Sequence, residues 1–201
     1  CHAEVVDELG QIIAPARHVD GSVDVDMPSA CNACHGDDHS PAPPLDLAGN
    51  TSVSAAGVGA HRIHLSPENA RPLACSECHL VPNDGLDAGH IDTALPAELS
   101  VTGVGKAFGA APSYDGERCQ NSYCHGAKFV LGHDSGGLVT APLWTLVDGS
   151  QRQCNSCHGL PPPPPHPSGP LFCNDCHPNV GLTLQILDPL THVNGKVELL
   201  P

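Results

Sequence analysis

Apolar positions along this chain fall in short patches broken by glycine and proline, so few regular elements are predicted. Gly59 to Leu65 reads as one or two helical turns. Val23 to Val25 and Val193 to Leu199 alternate apolar with polar residues, the period of short extended pieces. Pro161 to Pro165 predicts a rigid polyproline II strut, a spacer rather than a ligand for a proline-binding domain. No apolar run approaches the roughly 18 residues of a membrane span.

Composition sharpens this picture. The 201 residues include 21 Gly and 21 Pro, too many for long helices or a continuous sheet. Aromatic residues make up 3%, so the material that usually dominates core burial is scarce. Against this stand 11 Cys and 14 His. Something other than side-chain packing is expected to fill the interior. The net charge of −14 excludes the basic footprint of a nucleic-acid binder and disfavours an anionic membrane surface.

The cysteines decide the class. Ten form five pairs: Cys31/Cys34, Cys75/Cys78, Cys119/Cys124, Cys154/Cys157 and Cys173/Cys176. Four pairs are Cys-x-x-Cys and one is Cys-x-x-x-x-Cys. The second Cys is always followed by His: His35, His79, His125, His158 and His177. Cys-x-x-Cys-His is the attachment signature of c-type haem. Two thiols add across the haem vinyl groups, and the adjacent His reaches the iron. A zinc ribbon or a disulfide scaffold leaves the five His unexplained. A thioredoxin-like dithiol would be one motif, not five.

Two repeats run through the chain. One begins at Cys31 and Cys154 as Cys-Asn-x-Cys-His-Gly and leads into proline. Gly36, Gly126 and Gly159, each following a motif His, suit a positive φ where the chain turns off a short helix. The other repeat begins at Cys1-His2, Cys78-His79 and Cys176-His177 and reaches a second His at His18, His90 and His192. Cys1 therefore occupies a haem-motif slot rather than that of a lipidated amino-terminus. The expected units are 1–28 (the remainder of a first haem unit), 29–112 (two haems) and 113–201 (three haems). The chain starts without a signal peptide, as a processed product would.

The remaining histidines are His18, His39, His61, His64, His90, His133, His166 and His192. Neutral imidazole suits iron, and eight spare His for six haems read as distal ligands. His18, His90 and His192 are expected to close the haems just upstream, at His2, His79 and His177. His61 and His64 share a helical face and should serve two neighbouring haems, those of His35 and His125. His166 suits the haem of His158. His39 and His133 are surplus ligands, able to reach a haem of a neighbouring copy. The single Met27 limits Met/His ligation to one site. Closed bis-His irons imply low-potential electron transfer rather than catalysis.

The series Cys119 to Gly126, Trp144, Cys154 to Pro162, Cys173 to His177 and His192 to Gly195 resembles the CxxxxCH–CxxCH family of multihaem cytochromes of dissimilatory metal-reducing bacteria. Gly57 to Leu65 followed by Cys75 to His79 is similar to that family's helical pair of distal His. The resemblance implies secreted or outer-surface electron carriers. Cytochromes with similar properties polymerise into extracellular filaments. The chain departs from the pattern at His166, which stands alone where a pair is usual, and at the truncated first motif.

The expectation is a mostly irregular chain with short helices at its haem motifs, little β structure and a core of stacked haems. It carries six haem c groups, at least five, with their iron. It would conduct electrons outside the cell, at the outer surface or alternatively in the periplasm, as a head-to-tail filament. A conduit carrier and a multihaem reductase are the alternatives. Partners would be further copies and redox proteins or extracellular acceptors. Neither nucleic acid nor a membrane span is expected.

Overall fold

The computed structural model describes residues 4–21, 30–168 and 172–199. Cys1, His2, Val23 to Val25 and Met27 lie outside these residues. The chain is mostly loop. Among the described residues one α-helix, α1 (His61–Leu65), and one two-stranded antiparallel ribbon, β1 (Ser113–Tyr114) and β2 (Cys119–Gln120), are joined by 3₁₀ turns. None of the described helices is long and apolar enough to cross a membrane.

The polypeptide buries little of itself. Among the described residues the buried hydrophobic side chains are Val5, Val58 and Ala110. The accessible surface is 12965 Å², where a folded chain of this mass would expose roughly 8,900 Å². Leu80, Phe172 and Leu182 are among the large apolar side chains left at the surface. A chain so poor in aromatics presents apolar area that a flat macrocycle can cover.

Most of the expected motif helices are single 3₁₀ turns: Cys31–Ala33, Cys75–Glu77, Tyr123–His125 and Cys173–Asp175. Cys154 to Ser156 forms a plain turn instead. Three other expectations need correction. The proline run is not an extended strut, because the His166 amide donates to Pro163 O at 3.2 Å and the chain folds back there. Gly36 and Gly126 have φ of +83° and +79°, but Gly159 is not in the left-handed region. Val193 to Leu199 joins no sheet ladder.

The repeats are visible as backbone. Val6 bridges Ile12 as Val180 bridges Ile186. The Asp7 amide donates to Gln11 O as Gly181 does to Gln185 O, both at 2.9 Å. Each copy then makes a 3₁₀ turn, Pro15–Arg17 or Pro189–Thr191, that delivers His18 or His192. The valine after each His takes a positive φ, 67° at Val19 and 59° at Val193.

Candidate haem-attachment sites

The local fold of each motif brings its two thiols together. At Cys75 the amides of Cys78 and His79 both donate to Cys75 O, at 3.1 and 2.9 Å. At Cys173 the amides of Cys176 and His177 do the same, at 3.3 and 2.8 Å. Side chains three apart in a 3₁₀ turn eclipse one another, so both sulfurs leave the same side and the His follows directly. An acidic residue inside each turn stabilises it. Glu77 Oε2 accepts from the Ala74 amide at 3.1 Å, and Asp175 Oδ2 accepts from the Phe172 amide at 3.2 Å. Glu77 also takes two hydrogen bonds from the Arg71 guanidinium, at 2.5 and 3.0 Å. Arg71 accordingly holds the Glu77 carboxyl below the usual carboxylate range.

The longer motif uses its two extra residues to make a corner. Cys119 sits on β2 opposite Tyr114. The chain turns through Asn121 at φ 56°, and the Ser122 hydroxyl caps the following 3₁₀ turn by accepting from the Cys124 amide at 3.2 Å. Cys124 and His125 thus meet the geometry of the short motifs from a different approach.

Among the described residues no cysteine is joined to another in a disulfide. Burial pushes the thiols of Cys78 and Cys124 up, and those of Cys119 and Cys157 to about 11. Reactive dithiols need the opposite shift. Nor do the described residues bring three or more His, Cys, Asp or Glu to one point, as a zinc ribbon would.

Imidazoles instead face one another in pairs. Ring centres are 6.2 Å apart for His61 and His79, 6.1 Å for His64 and His125, 6.4 Å for His158 and His192, and 6.2 Å for His166 and His177. Two metal–nitrogen bonds of about 2 Å, plus about 1 Å from each nitrogen to its ring centre, separate two axial imidazoles by about 6 Å. Each pair joins one motif His to one spare His.

The ring nitrogens are oriented for the same chemistry. Nδ1 lies 2.8 Å from Val58 O in His61, 2.9 Å from Ala60 O in His64 and 3.1 Å from Glu98 O in His79. It lies 3.0 Å from Gly159 O in His158, 2.9 Å from Pro167 O in His166 and 3.4 Å from Glu198 O in His177. In His192 it meets Asn69 O. A carbonyl only accepts, so Nδ1 carries the hydrogen and Nε2 keeps its lone pair, the arrangement typical of metal-ligating His. The Nδ1 of His125 is buried and makes no hydrogen bond. Burial lowers the pKa of His61, His64 and His192, and that of His125 to about 4, so these rings are neutral at pH 7.

His64 faces His125, one of the two recipients expected for the α1 pair, but the other three pairs differ from the expected ones. His61 faces His79, neither His35 nor His125. His192 faces His158 rather than His177, and His166 faces His177 rather than His158. Among the described residues no ring stands at this distance from His18, His35, His39, His90 or His133, so His90 does not face His79. Trp144 is the residue that sequence reasoning left without a task. Its ring lies 4.9 Å from that of His61 and 5.7 Å from that of His64, and its Nε1 donates to Ala56 O at 2.7 Å. It was legible only as part of a family resemblance, since nothing local marks it.

The geometry fits covalent haem: paired thiols, an adjacent imidazole, a second imidazole opposite and apolar surface around them. A family model described as the Geobacter CxxxxCH...CXXCH motif matches residues 118–158. The match, together with the five attachment motifs, supports a multihaem c-type cytochrome. The matched segment contains the motifs ending at His125 and His158, and electron transfer is the activity the family points to. No curated protein and no solved structure matches the chain.

Within the matched segment the two motifs are laced together. The Ser135 hydroxyl donates to Gly126 O at 2.5 Å, and the Gly159 amide donates to Ser135 O at 2.7 Å. The Leu138 and Val139 amides donate to Asn155 O and Ser156 O. A Cβ on Gly126 would stand 1.7 Å from Cys157 O, so the close approach of the two motifs of this cytochrome requires glycine there.

Proposed function

We propose that this cytochrome carries electrons along a row of closely spaced bis-His haems, outside the cell, as one unit of a head-to-tail filament. The observation that carries the reading is the set of four facing imidazole pairs, each combining a motif His with a distal His. Bound haem supplies a reversible one-electron iron couple at low potential. The chain's own residues do the rest. Cys side chains would anchor the haem and His side chains would ligate its iron, and backbone carbonyls keep the paired rings other than that of His125 in the ligating tautomer.

Spacing supports conduction from site to site. His61 and His64 lie three residues apart on α1 and face motifs at His79 and His125. One helical turn therefore ties two sites together. The approach of Gly126 to Cys157 ties the second to a third, at His158. With both axial positions held, substrate has no iron to bind, which disfavours a reductase. A periplasmic or porin-docked carrier is the second reading, and the acidic charge of −14, which repels like subunits, favours it.

The filament reading is supported by His18, which is exposed and carried by a backbone copy of the turn that delivers His192. His39 and His133 are further surplus imidazoles. Three measurements on the exported holoprotein test the proposal. Native mass should exceed the polypeptide by five or six haems, and four or fewer defeats the attachment reading. Carbon monoxide should leave the spectrum of the reduced protein unchanged, and a stoichiometric adduct moves the reductase ahead. Electron microscopy should show filaments, and a monodisperse monomer at high concentration supports the carrier.

A further inference from the structure

The chain contains the same two-haem unit twice. Each copy runs Cys-Asn-x-Cys-His-Gly, a segment with spare His (His39, His61 and His64 in the first copy, His166 alone in the second), Cys-x-x-Cys-His, and a last spare His. In the first copy the corresponding histidines are His35, His61, His79 and His90, His61 being the spare His that faces the second motif. In the second they are His158, His166, His177 and His192.

Backbone detail supports the equivalence. His79 Nδ1 donates to Glu98 O and His177 Nδ1 to Glu198 O, at matching places in the two copies. The turns Cys75–Glu77 and Cys173–Asp175 are both closed by their own third residue, Glu77 or Asp175. In both, the His after the second Cys faces a spare His upstream of the motif, His61 at 22° between ring planes and His166 at 13°. In the second copy the last His reaches back to the first motif, His192 to His158. Three of the four pairings are therefore in place.

We propose that the fourth follows the same exchange: His90 is the distal ligand of the haem held by Cys31, Cys34 and His35. This rests on the haem reading above. The two rings are prepared alike. His35 Nδ1 lies 2.6 Å from Pro41 O and His90 Nδ1 lies 2.8 Å from Gly85 O, so each keeps its Nε2 lone pair. His79 already faces His61, which leaves His90 without a task at its own motif. The other spare histidines fit less well. His39 follows His35 by four residues in a turn closed by Asp37 and Ser40, which holds both on one side of any macrocycle. His133 lies two residues from Ser135, whose hydroxyl bonds Gly126 O between motifs that already have facing imidazoles.

The test is His90→Ala in the holoprotein, read by electron paramagnetic resonance of the oxidised form and by intact mass. Mass counts the haems and so checks the haem reading separately. With all haems present, one high-spin iron per chain should appear. The same substitution in a Cys31→Ala/Cys34→Ala background, which removes the haem in question, should then add no high-spin signal, whereas His61→Ala in that background should add one. A high-spin signal from His90→Ala in the background lacking that haem overturns the assignment, as does none in the holoprotein. If the double-Cys variant does not accumulate, a structure of the native holoprotein decides by which imidazole stands opposite His35.

Discussion

His192 faces His158 with 6.4 Å between ring centres, although the nearest attachment motif along the chain is the one ending at His177. Its Nδ1 is held by Asn69 O from the other half of the molecule. The His192 ring is thus positioned by a contact 123 residues away in sequence. His166, only a few residues ahead of Cys173, takes the place opposite His177, with 6.2 Å between rings and 13° between their planes.

This exchange makes a direct prediction. His192→Ala should convert the haem of Cys154 and Cys157 to high spin, leaving the haem of Cys173 and Cys176 low spin. His166→Ala should do the reverse. Magnetic circular dichroism of each variant, repeated with Cys173 and Cys176 replaced by Ala, assigns the signal. Loss of the His192→Ala signal in that background would contradict the pairing.

Gly59 makes room for Trp144. A Cβ there would stand 2.0 Å from Trp144 Nε1, and φ is +39°. Gly59→Ala should push the indole off α1 and break its hydrogen bond to Ala56 O. The expected cost is about 2–3 kcal/mol, read as a lower thermal midpoint of the holoprotein. Spectral changes should be confined to the haems of His79 and His125, whose facing rings on His61 and His64 pack against Trp144.

Glu77 closes the turn of its motif with bonds to Arg71 and the Ala74 amide. Glu77→Ala should cost about 1–3 kcal/mol, because partners in a part-buried site lose their acceptor. Glu77→Gln should cost less, since the amide oxygen can still accept from Ala74. Equal midpoints in denaturant for both variants and the parent would refute a role for this side chain.

With three buried hydrophobic residues among those described, the polypeptide has too small a core to fold by itself, and cofactor binding must supply folding energy. Replacing Cys75 and Cys78 together by Ala should prevent accumulation of the protein or lose the structure around α1. Circular dichroism of a haem-free preparation should show no cooperative melting. A well-folded, cooperatively melting apo-protein would count against the idea.

The attachment chemistry was legible in the sequence because it is local. Two thiols and an imidazole within five to seven residues need only a turn to converge, as at Cys75 to His79. The helical turn at α1 and the scarcity of sheet were legible for the same reason, through neighbouring residues and the density of Gly and Pro. The repeats, too, were written in the chain, and they returned as matching hydrogen bonds at Asp7 and Gly181. Tertiary structure alone decided which distal imidazole meets which motif. That choice depends on where distant segments cross: Asn69 against His192, Trp144 against α1, Gly126 against Cys157. Proximity in sequence assigned His166 and His192 to other motifs because the ring each one faces is set by contacts between distant segments, such as Asn69 with His192, and not by the shortest connection along the chain.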